Sequence, residues 1–309
     1  MLSFVLKRLL LLAPTVFGVV TLVFLLRPLI PGDPIDYMLG ENAVPADREA
    51  LRAQYELDKS IPEQYLLFLS RLVKGDLGRS IHARRPVLDM IAERYPATLV
   101  LAAAAMVVAI LVAFPAGVAA AVKKDMAVDN LSMFGALLGI SMPNFWLGPL
   151  LILLFSIHLG WLPVSGMGGP LHIILPAVTL GTAMAAILTR MTRSSMLEVI
   201  REDYVTTARA KGLAEGRVIL KHALKNAVIP ILTLIGLQFG ALLAGSIITE
   251  TIFAWPGIGS LIVTAIYSRD FPLLQGLVMT ISLSYVLVNL LTDLFYGLAD
   301  PRIRLGGGR

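Results

Sequence analysis

The sequence predicts an all-α polytopic membrane protein with about six transmembrane helices. Its 309 residues are 57% hydrophobic and only 15% charged, and the mean hydropathy is +0.79. A soluble globular domain needs more charge on its surface, so the expected solvent is the bilayer. Two further observations support this class: a set of apolar runs, each near the ~20 residues that cross a bilayer as a helix, and a one-sided distribution of basic residues.

Each apolar run lacks Asp, Glu, Lys and Arg, and is predicted to be one transmembrane helix. The first run follows Lys7 and Arg8, but it is longer than a signal-peptide core and lacks a clear A-x-A site, so residues 1–30 are expected to remain as a helix. Prolines 115, 143 and 149 lie inside runs, which packed membrane helices tolerate. The six runs are 9–26, 97–122, 131–157, 171–189, 226–249 and 271–292.

The distribution of Lys and Arg predicts the orientation. An even number of spans places both termini on one side, and the termini and loops of that side carry fifteen Lys and Arg residues, eight of them within 190–225. The short loops opposite, 159–170 and 250–270, contain only Arg269. The basic side is therefore predicted to be cytoplasmic, and the excess of +5 charges reflects membrane topology rather than binding of nucleic acid.

Residues 31–95 form a polar insertion between the first two spans, predicted to lie on the outer face. The insertion has nine basic and eleven acidic residues. Ser60 and Glu63 have the S-x-x-E spacing of a capping box, and a helix is predicted to follow and to stop at Gly75. Its apolar side chains would be Tyr65, Phe68, Leu69 and Leu72. A small helical cap is favoured over a substrate site.

A second insertion, 190–226, lies within the core region 96–309 that holds the other five spans. Ser195 and Glu198 again have capping-box spacing, and Leu197, Ile200, Tyr204 and Ala208 would share one helical face. Gly212 is predicted to break this helix, and a second helix is predicted from about residue 214 into the fifth span. Such a helix-turn-helix suits contact with another protein; the alternative is a basic loop attracted to anionic headgroups.

Several chemistries have no residues to support them. The span interiors contain no Asp, Glu or Lys for a proton or ion relay, so a secondary transporter or a channel acting alone is the weaker alternative. There is no G-x-x-x-x-G-K-[ST] loop to bind ATP, and no set of groups for a membrane-bound enzyme. With no cysteine and four scattered histidines, a metal site is not expected.

Residues 203–230, DYVTTARAKGLAEGRVILKHALKNAVIP, resemble the EAA loop of binding-protein-dependent ABC import permeases. Of the positions that define the loop, Ala208, Gly212 and Leu224 match literally. The remaining positions depart from the general pattern, and these departures are typical of the dipeptide, oligopeptide and nickel permeases, whose loops resemble TARAKG followed by H-x-L-x-N. The resemblance extends to IPGDP at 30–34, GDLGRS at 75–80, GWLP at 160–163, ETIFAWPGIG at 250–259 and DPRIR at 300–304.

This resemblance implies a B-type permease in the inner membrane that forms the pore with a C-type permease. Its other implied partners are two ATP-binding subunits, which would bind ATP and Mg, an extracytoplasmic solute-binding protein and the surrounding membrane lipid. No cofactor is implied in this chain, and no catalytic activity. The expected solute is a di- or oligopeptide, with nickel complexes, glutathione and opines as alternatives.

The resemblance also implies where the ATPase is contacted. Residues 203–211 would be the coupling helix and Gly212 its turn, with small Ala208 allowing close approach and Arg209 and Lys211 pairing with acidic groups of the ATPase. The residues implied to couple the chain to the ATPase are Asp203, Tyr204, Thr206, Thr207, Ala208, Arg209, Lys211, Gly212, His222, Leu224 and Asn226.

Overall fold

The computed structural model describes residues 2–29, 48–49, 52–53, 56 and 58–299. The described chain is helical, as predicted, and its only strand-like pairing is an isolated antiparallel bridge between Arg79 and Pro86. The helices are α1 (Leu2–Leu29), α2 (Ile61–Val73), α3 (Val87–Val122), α4 (Ala127–Ser141), α5 (Asn144–Leu151), α6 (Ile174–Val199), α7 (Asp203–Ala210), α8 (Leu224–Gly245), α9 (Ile247–Ile252), α10 (Ile258–Tyr267) and α11 (Phe271–Ala299). The IPGDP and DPRIR motifs lie outside the described residues.

Helices α3 and α6 pack together at the centre of the bundle through small residues. Ala105, Ala109 and Ala113 of α3 are fully buried. A Cβ on Gly181 of α6 would lie 2.8 Å from the carbonyl oxygen of Ala105, and one on Gly117 of α3 would lie 2.8 Å from that of Thr189. Small side chains let membrane helices approach this closely, which stabilises them through van der Waals packing.

The third apolar run is not one straight helix, which corrects the prediction. It forms α4 and then α5, which continues as the π-helical segment Ile152–His158, with a bend of 103° between the two halves. Pro143 sits at the bend, and Met142 before it is extended (ψ 111°). A residue before proline is driven out of the helical region, which explains the break. Pro115, in contrast, lies inside the continuous helix α3.

The segment predicted as a short loop at 250–270 is largely helical and buried, so this prediction was wrong. It contains the end of α9 and all of α10, whose Ile258, Ile262 and Ala265 pack against α3 and α11. Residues 253–257 separate α9 from α10, and the turn after Tyr267 separates α10 from α11. Within this segment Glu250 is completely buried, although it was predicted to be the first residue of a loop.

The outer insertion contains the predicted helix α2. The Ser60 amide and hydroxyl donate to Glu63 Oε2 at 3.0 and 2.8 Å, which confirms the capping box and lowers the pKa of Glu63. The helix ends before Gly75, whose φ is +75°. Its apolar residues pack on α1 and α11, and the Tyr65 hydroxyl lies 2.7 Å from Thr21 Oγ1. The helix therefore covers the side of α1.

The helix ends define two sides of the bundle. Arg8 Nη1 lies 2.7 Å from Asp293 Oδ2, so the beginning of α1 lies beside the end of α11. The end of α3 packs beside α7 through Ala121. Four helices are long and apolar enough to cross a membrane and the bent α4–α5 pair makes a fifth candidate, while α1 contributes a shorter apolar stretch, Leu10–Leu25. The count of six spans stays a prediction.

Candidate functional site

Helix α7 and the turn after it form a hairpin between α6 and α8. Lys211 caps α7, Gly212 follows with φ +75°, and the chain re-enters a helix at Glu215–Arg217. Gly adopts this left-handed conformation without a steric penalty, so Gly212 ends α7 as predicted. Residues 203–223 are called the α7 hairpin below.

The predicted capping box of Ser195 and Glu198 is wrong. Both residues lie inside α6, which continues without a break to Val199, and Ser195 is buried against its neighbours. The N-cap of α7 is Glu202, whose backbone is extended (ψ 146°). The spacing S-x-x-E is therefore present without a helix start, because the apolar face of α6 continues to pack beyond it.

One face of the α7 hairpin is buried in the chain itself. Val205 is fully buried and Ala208 is 6% exposed, and both pack against Met196 of α6 and Val218 and Ala223 of the second arm. Ala208 therefore lies in this chain's own core, contrary to the expectation that it allows close approach of another subunit. Its small side chain allows α7 to lie close to its own chain instead.

The opposite face of α7 is exposed and polar. Tyr204, predicted on the face of Ala208, is instead 41% exposed, and its hydroxyl accepts a hydrogen bond of 2.8 Å from Asn226 Nδ2. The Thr207 hydroxyl donates to the Asp203 carbonyl oxygen at 2.8 Å, which satisfies it within the helix. The exposed residues of this face are Asp203, Tyr204, Thr206, Thr207, Arg209 and Lys211.

Arg209 is engaged within the hairpin. Its Nη2 lies 2.8 Å from Glu215 Oε1, across the Gly212 turn, and the Glu215 carboxylate raises the pKa of Arg209. This pair closes the turn, so the acidic partner of Arg209 in the structure belongs to this chain, whereas the resemblance implied an acidic group of the ATPase. Lys211 is exposed, and the described residues provide it with no carboxylate.

The second arm enters α8 through a π-helical segment, Val218–Ala223. His222 is half-buried there, and its carbonyl oxygen accepts a second hydrogen bond from Asn226 Nδ2, at 3.3 Å. Leu224 packs at the edge of the buried cluster that holds Ala208. The structure thus brings Tyr204, His222, Leu224 and Asn226 together at the junction of the hairpin with α8.

An ion pair that the sequence did not reveal joins α6 to α4. Arg193 of α6 makes a bidentate ion pair with Asp129 of α4, with 2.7 Å between Nη2 and Oδ2. The Asp125 amide donates a hydrogen bond to Asp129 Oδ2 at 2.9 Å. Asp129 is almost fully buried. A bidentate pair of this kind holds two helices in one relative position. No sequence spacing links residues 129 and 193, so only the fold reveals the pair.

The motif ETIFAWPGIG builds a buried polar clasp on the side of the bundle away from α7. Glu250 Oε1 accepts hydrogen bonds of 2.8 Å from the Thr98 and Ser246 hydroxyls, and Oε2 accepts one of 3.0 Å from the Ser260 amide. The Trp255 indole donates to the Ala97 carbonyl oxygen at 2.8 Å. The clasp therefore joins α3, the α8–α9 break and the first turn of α10.

Two glycines of the motif make room for this carboxyl group. A Cβ on Gly257 would lie 2.4 Å from Glu250 Oε2 and 2.4 Å from Thr98 Oγ1, and one on Gly259 would lie 2.7 Å from the Ile247 Cα. These distances are shorter than any van der Waals contact, so the glycines are required for packing. Both carboxyl oxygens of Glu250 have hydrogen-bond partners, as expected for a buried polar group that holds the fold together.

The chain is similar to known transport proteins over nearly its full length. The sequence model of the binding-protein-dependent transport system inner membrane component matches residues 113–305, and the model of the N-terminal part of that component matches residues 1–102. The di/tripeptide transport system permease protein DppB of Pseudomonas aeruginosa is 47% identical, with 98% of this chain and 99% of that protein covered.

Two further relatives show the same coverage, 98% of this chain and 99% of each relative. They are the glutathione transport system permease protein GsiC of Escherichia coli O6:H1, at 47% identity, and the dipeptide transport system permease protein DppB of Escherichia coli K12, at 46%. Among solved structures, the inward-facing MetNI methionine ABC transporter superposes with a TM-score of 0.59 at 16% identity, covering 69% of this chain and 97% of that chain.

An amino acid ABC transporter solved with histidines gives a TM-score of 0.51 at 16% identity, covering 70% of this chain and 94% of that chain. At this identity the two structures show a shared fold, and the sequence relatives show the family. The chain belongs to the family of binding-protein-dependent transport system inner membrane components, and it is a pore-forming permease subunit of an ABC importer in the inner membrane.

Proposed function

We propose that this permease imports di- or oligopeptides and that the exposed face of α7 couples it to the ATPase subunits. The observation that carries the coupling assignment is the two-faced character of α7. One face is fixed in the chain's own core by Val205 and Ala208, and the other presents polar side chains, including Thr206 and Lys211, outside the bundle. A helix held this way suits a protein partner better than a loop lying on lipid, because its exposed face has no apolar stripe to insert.

The contacts of the hairpin support a mechanism for coupling. The Tyr204–Asn226 hydrogen bond ties α7 to the start of α8, and the Val205 and Ala208 contacts tie it to the end of α6. The Asp129–Arg193 ion pair then fixes α6 to α4. A displacement of α7 by an ATPase would therefore move α6 and α8 as one unit, because packed interiors transmit movement with little compression.

Membership of the family implies a binding protein and ATPase partners. We propose the following arrangement of subunits. The pore is completed by a second, C-type permease, and two ATPase subunits dock from the cytoplasm and bind the ATP and Mg. This chain neither binds nor hydrolyses ATP, since its sequence has no phosphate-binding loop. The α7 side of the bundle, with both termini, faces the cytoplasm because it carries most of the basic residues.

The proposed solutes follow from the relatives. Proteins with 46 to 47% identity over nearly the whole chain are permeases of di/tripeptide, dipeptide and glutathione transport systems. Glutathione is itself a tripeptide, so a short peptide is the chemistry these relatives share. The names of these three relatives mention neither nickel complexes nor opines.

A change on the exposed face of α7 tests the coupling assignment. Thr206→Arg places a long cation where close docking is proposed, and we expect uptake of dialanine to fall about five- to thirtyfold, because loss of one good interface contact costs about 1–2 kcal/mol. Permease abundance should persist, since Thr206 is exposed. The measurements are uptake and co-purification of the ATPases.

The matched control is Met126→Arg, which introduces the same side chain at an exposed position on the same side of the bundle. It should leave uptake near the wild-type rate. Normal uptake and normal co-purification by Thr206→Arg would show that α7 does not contact the ATPase through this face.

A further inference from the structure

Two turns meet on the side of the bundle opposite α7. The first precedes α3 and runs from Arg79 to Pro86; the second, Tyr267 to Asp270, joins α10 to α11. Asp270 connects them, because its Oδ2 accepts hydrogen bonds from the Ser80 hydroxyl and from the His82 amide, the latter at 3.4 Å. These two segments, 79–86 and 267–270, are called the paired turns below.

Each of the paired turns contains one arginine with a strained backbone conformation. Arg84 has φ +54° and Arg269 has φ +52°, a left-handed conformation that non-glycine residues rarely adopt. Two backbone hydrogen bonds hold the first turn. The Arg84 amide donates to the Ser80 carbonyl oxygen at 3.0 Å, and the Ser80 amide donates to the Arg85 carbonyl oxygen at 2.9 Å. Strain maintained by surrounding contacts occurs mostly at binding or switching sites.

A buried acid provides the anchor for this surface. Asp270 is 1% exposed, and its Oδ1 accepts from the Leu273 amide at 3.2 Å, so it also caps the first turn of α11. Gly78 lies beside the start of α11, with a Cβ at this position 3.8 Å from the Pro272 Cβ. The motif GDLGRS is therefore explained as the part of the outer insertion that fixes these turns to the core.

The exposed side chains of the paired turns are those that protein interfaces favour. Tyr267 is 86% exposed at the end of α10, and Arg84 is exposed with no carboxylate partner among the described residues. Neighbouring Arg85, in contrast, is paired with Glu93 of α3. Tyr and Arg are enriched at interfaces and supply much of their binding energy.

We propose that the paired turns are a docking surface for acidic residues of the solute-binding protein, with Arg84 and Tyr267 as its principal contacts. This proposal rests on the proposed orientation, in which this side of the bundle faces outward. A rigid, strained projection favours a protein partner, because fixing a side chain in advance lowers the entropy lost on binding. Fluid lipid headgroups gain little from such fixed geometry.

The test uses the complete importer in nanodiscs of zwitterionic phosphatidylcholine. ATPase activity is followed while the purified solute-binding protein, loaded with dialanine, is titrated. For Arg84→Glu and Tyr267→Ala we expect the half-saturating concentration of binding protein to rise by at least about tenfold, while the basal ATPase activity without binding protein is unchanged. Added salt should raise the half-saturating concentration of binding protein by a larger factor for the wild type than for Arg84→Glu.

Two further variants keep the result interpretable. Arg84→Asn removes the charge with a residue that tolerates the left-handed conformation, so it separates charge from folding; it should share the loss of Arg84→Glu. Lys59→Glu is the matched control, since it reverses an exposed charge of the same insertion at the far end of α2. It should behave as the wild type.

The outcomes separate this inference from the proposed function. If the binding protein stimulates the wild type and all Arg84 and Tyr267 variants equally, the docking assignment is overturned. If the variants lose stimulation only in nanodiscs that contain anionic lipid, the surface is a headgroup site, which also overturns it. If no binding protein stimulates the wild type, the peptide-import proposal itself fails.

Discussion

Ala208→Glu is expected to abolish uptake by disrupting the α7 hairpin itself rather than by blocking a partner. The Ala208 side chain lies in a cluster with Val205, Val218 and Ala223, and all of these are buried. The new carboxylate would have no described cation in that cluster, and burying an unpaired charge costs several kcal/mol. The hairpin should therefore open locally, because this cost exceeds what a small cluster can offset.

The measurement is limited proteolysis of the purified variant beside dialanine uptake. We expect rapid cleavage within residues 203–223 and an uptake rate at background. Thr207→Glu is the matched control, since it introduces the same group one position away on the exposed face. It should resist proteolysis as the wild type does. Protease resistance of Ala208→Glu equal to that of the wild type would contradict the buried position of Ala208.

Glu250→Ala is expected to cause the largest loss of stability of any single change in the clasp. It leaves the Thr98 and Ser246 hydroxyls and the Ser260 amide without an acceptor in a buried site. Each unsatisfied buried donor costs about 1–3 kcal/mol, and a cavity adds to this. Since the clasp holds α3, the α8–α9 break and α10 together, we expect a large fall in thermal stability in detergent.

The matched variant Glu250→Gln tests the hydrogen-bond assignment. A glutamine retains one acceptor oxygen, which can still serve Thr98 and Ser246, but its amide nitrogen would face the Ser260 amide donor. Its thermal stability should therefore lie between those of Glu250→Ala and the wild type. Equal stability of Glu250→Ala and the wild type would show that the buried carboxyl group contributes nothing to the fold.

Features determined by local sequence could be predicted well. Hydropathy predicted the membrane helices, because a bilayer imposes the same apolar length on each of them. The Ser60–Glu63 box and Gly75 predicted both ends of α2, and Gly212 predicted the turn after α7. These signals depend only on residues close in the sequence, so they can be recognised without knowledge of the tertiary contacts.

Features determined by tertiary packing could not be predicted. Ser195 and Glu198 have capping-box spacing but lie inside α6, because Met196 continues the buried face there. Residues 250–270 look like a loop by charge, yet Glu250 and Asp270 are buried acids that accept hydrogen bonds from Thr98 and Ser80, which lie 152 and 190 residues away in the sequence. The 103° bend at Pro143 could not be distinguished in the sequence from the continuous helix around Pro115, because both apolar runs contain proline.

The resemblance supplied the set of proposed coupling residues, but it did not give their orientation. The resemblance named both Tyr204 and Ala208, and helical periodicity assigned them to one face. In the structure Ala208 is buried and Tyr204 is exposed beside Asn226. Four residues of an α-helix turn through about 400°, so two residues four positions apart point in directions about 40° apart. One can therefore be buried while the other is exposed, and only packing decides which is buried.

Site-specific cross-linking from α7 tests the coupling assignment most directly. The chain contains no cysteine, so one introduced thiol is unique in it. Thr206→Cys and Val205→Cys, labelled with a photoreactive maleimide, are compared in importers whose ATPases lack cysteine. We predict that Thr206→Cys cross-links to an ATPase subunit with a yield that changes on adding ATP, and that buried Val205→Cys does not. Cross-linking of Thr206→Cys only to lipid, in an importer that still takes up dialanine, would contradict the assignment.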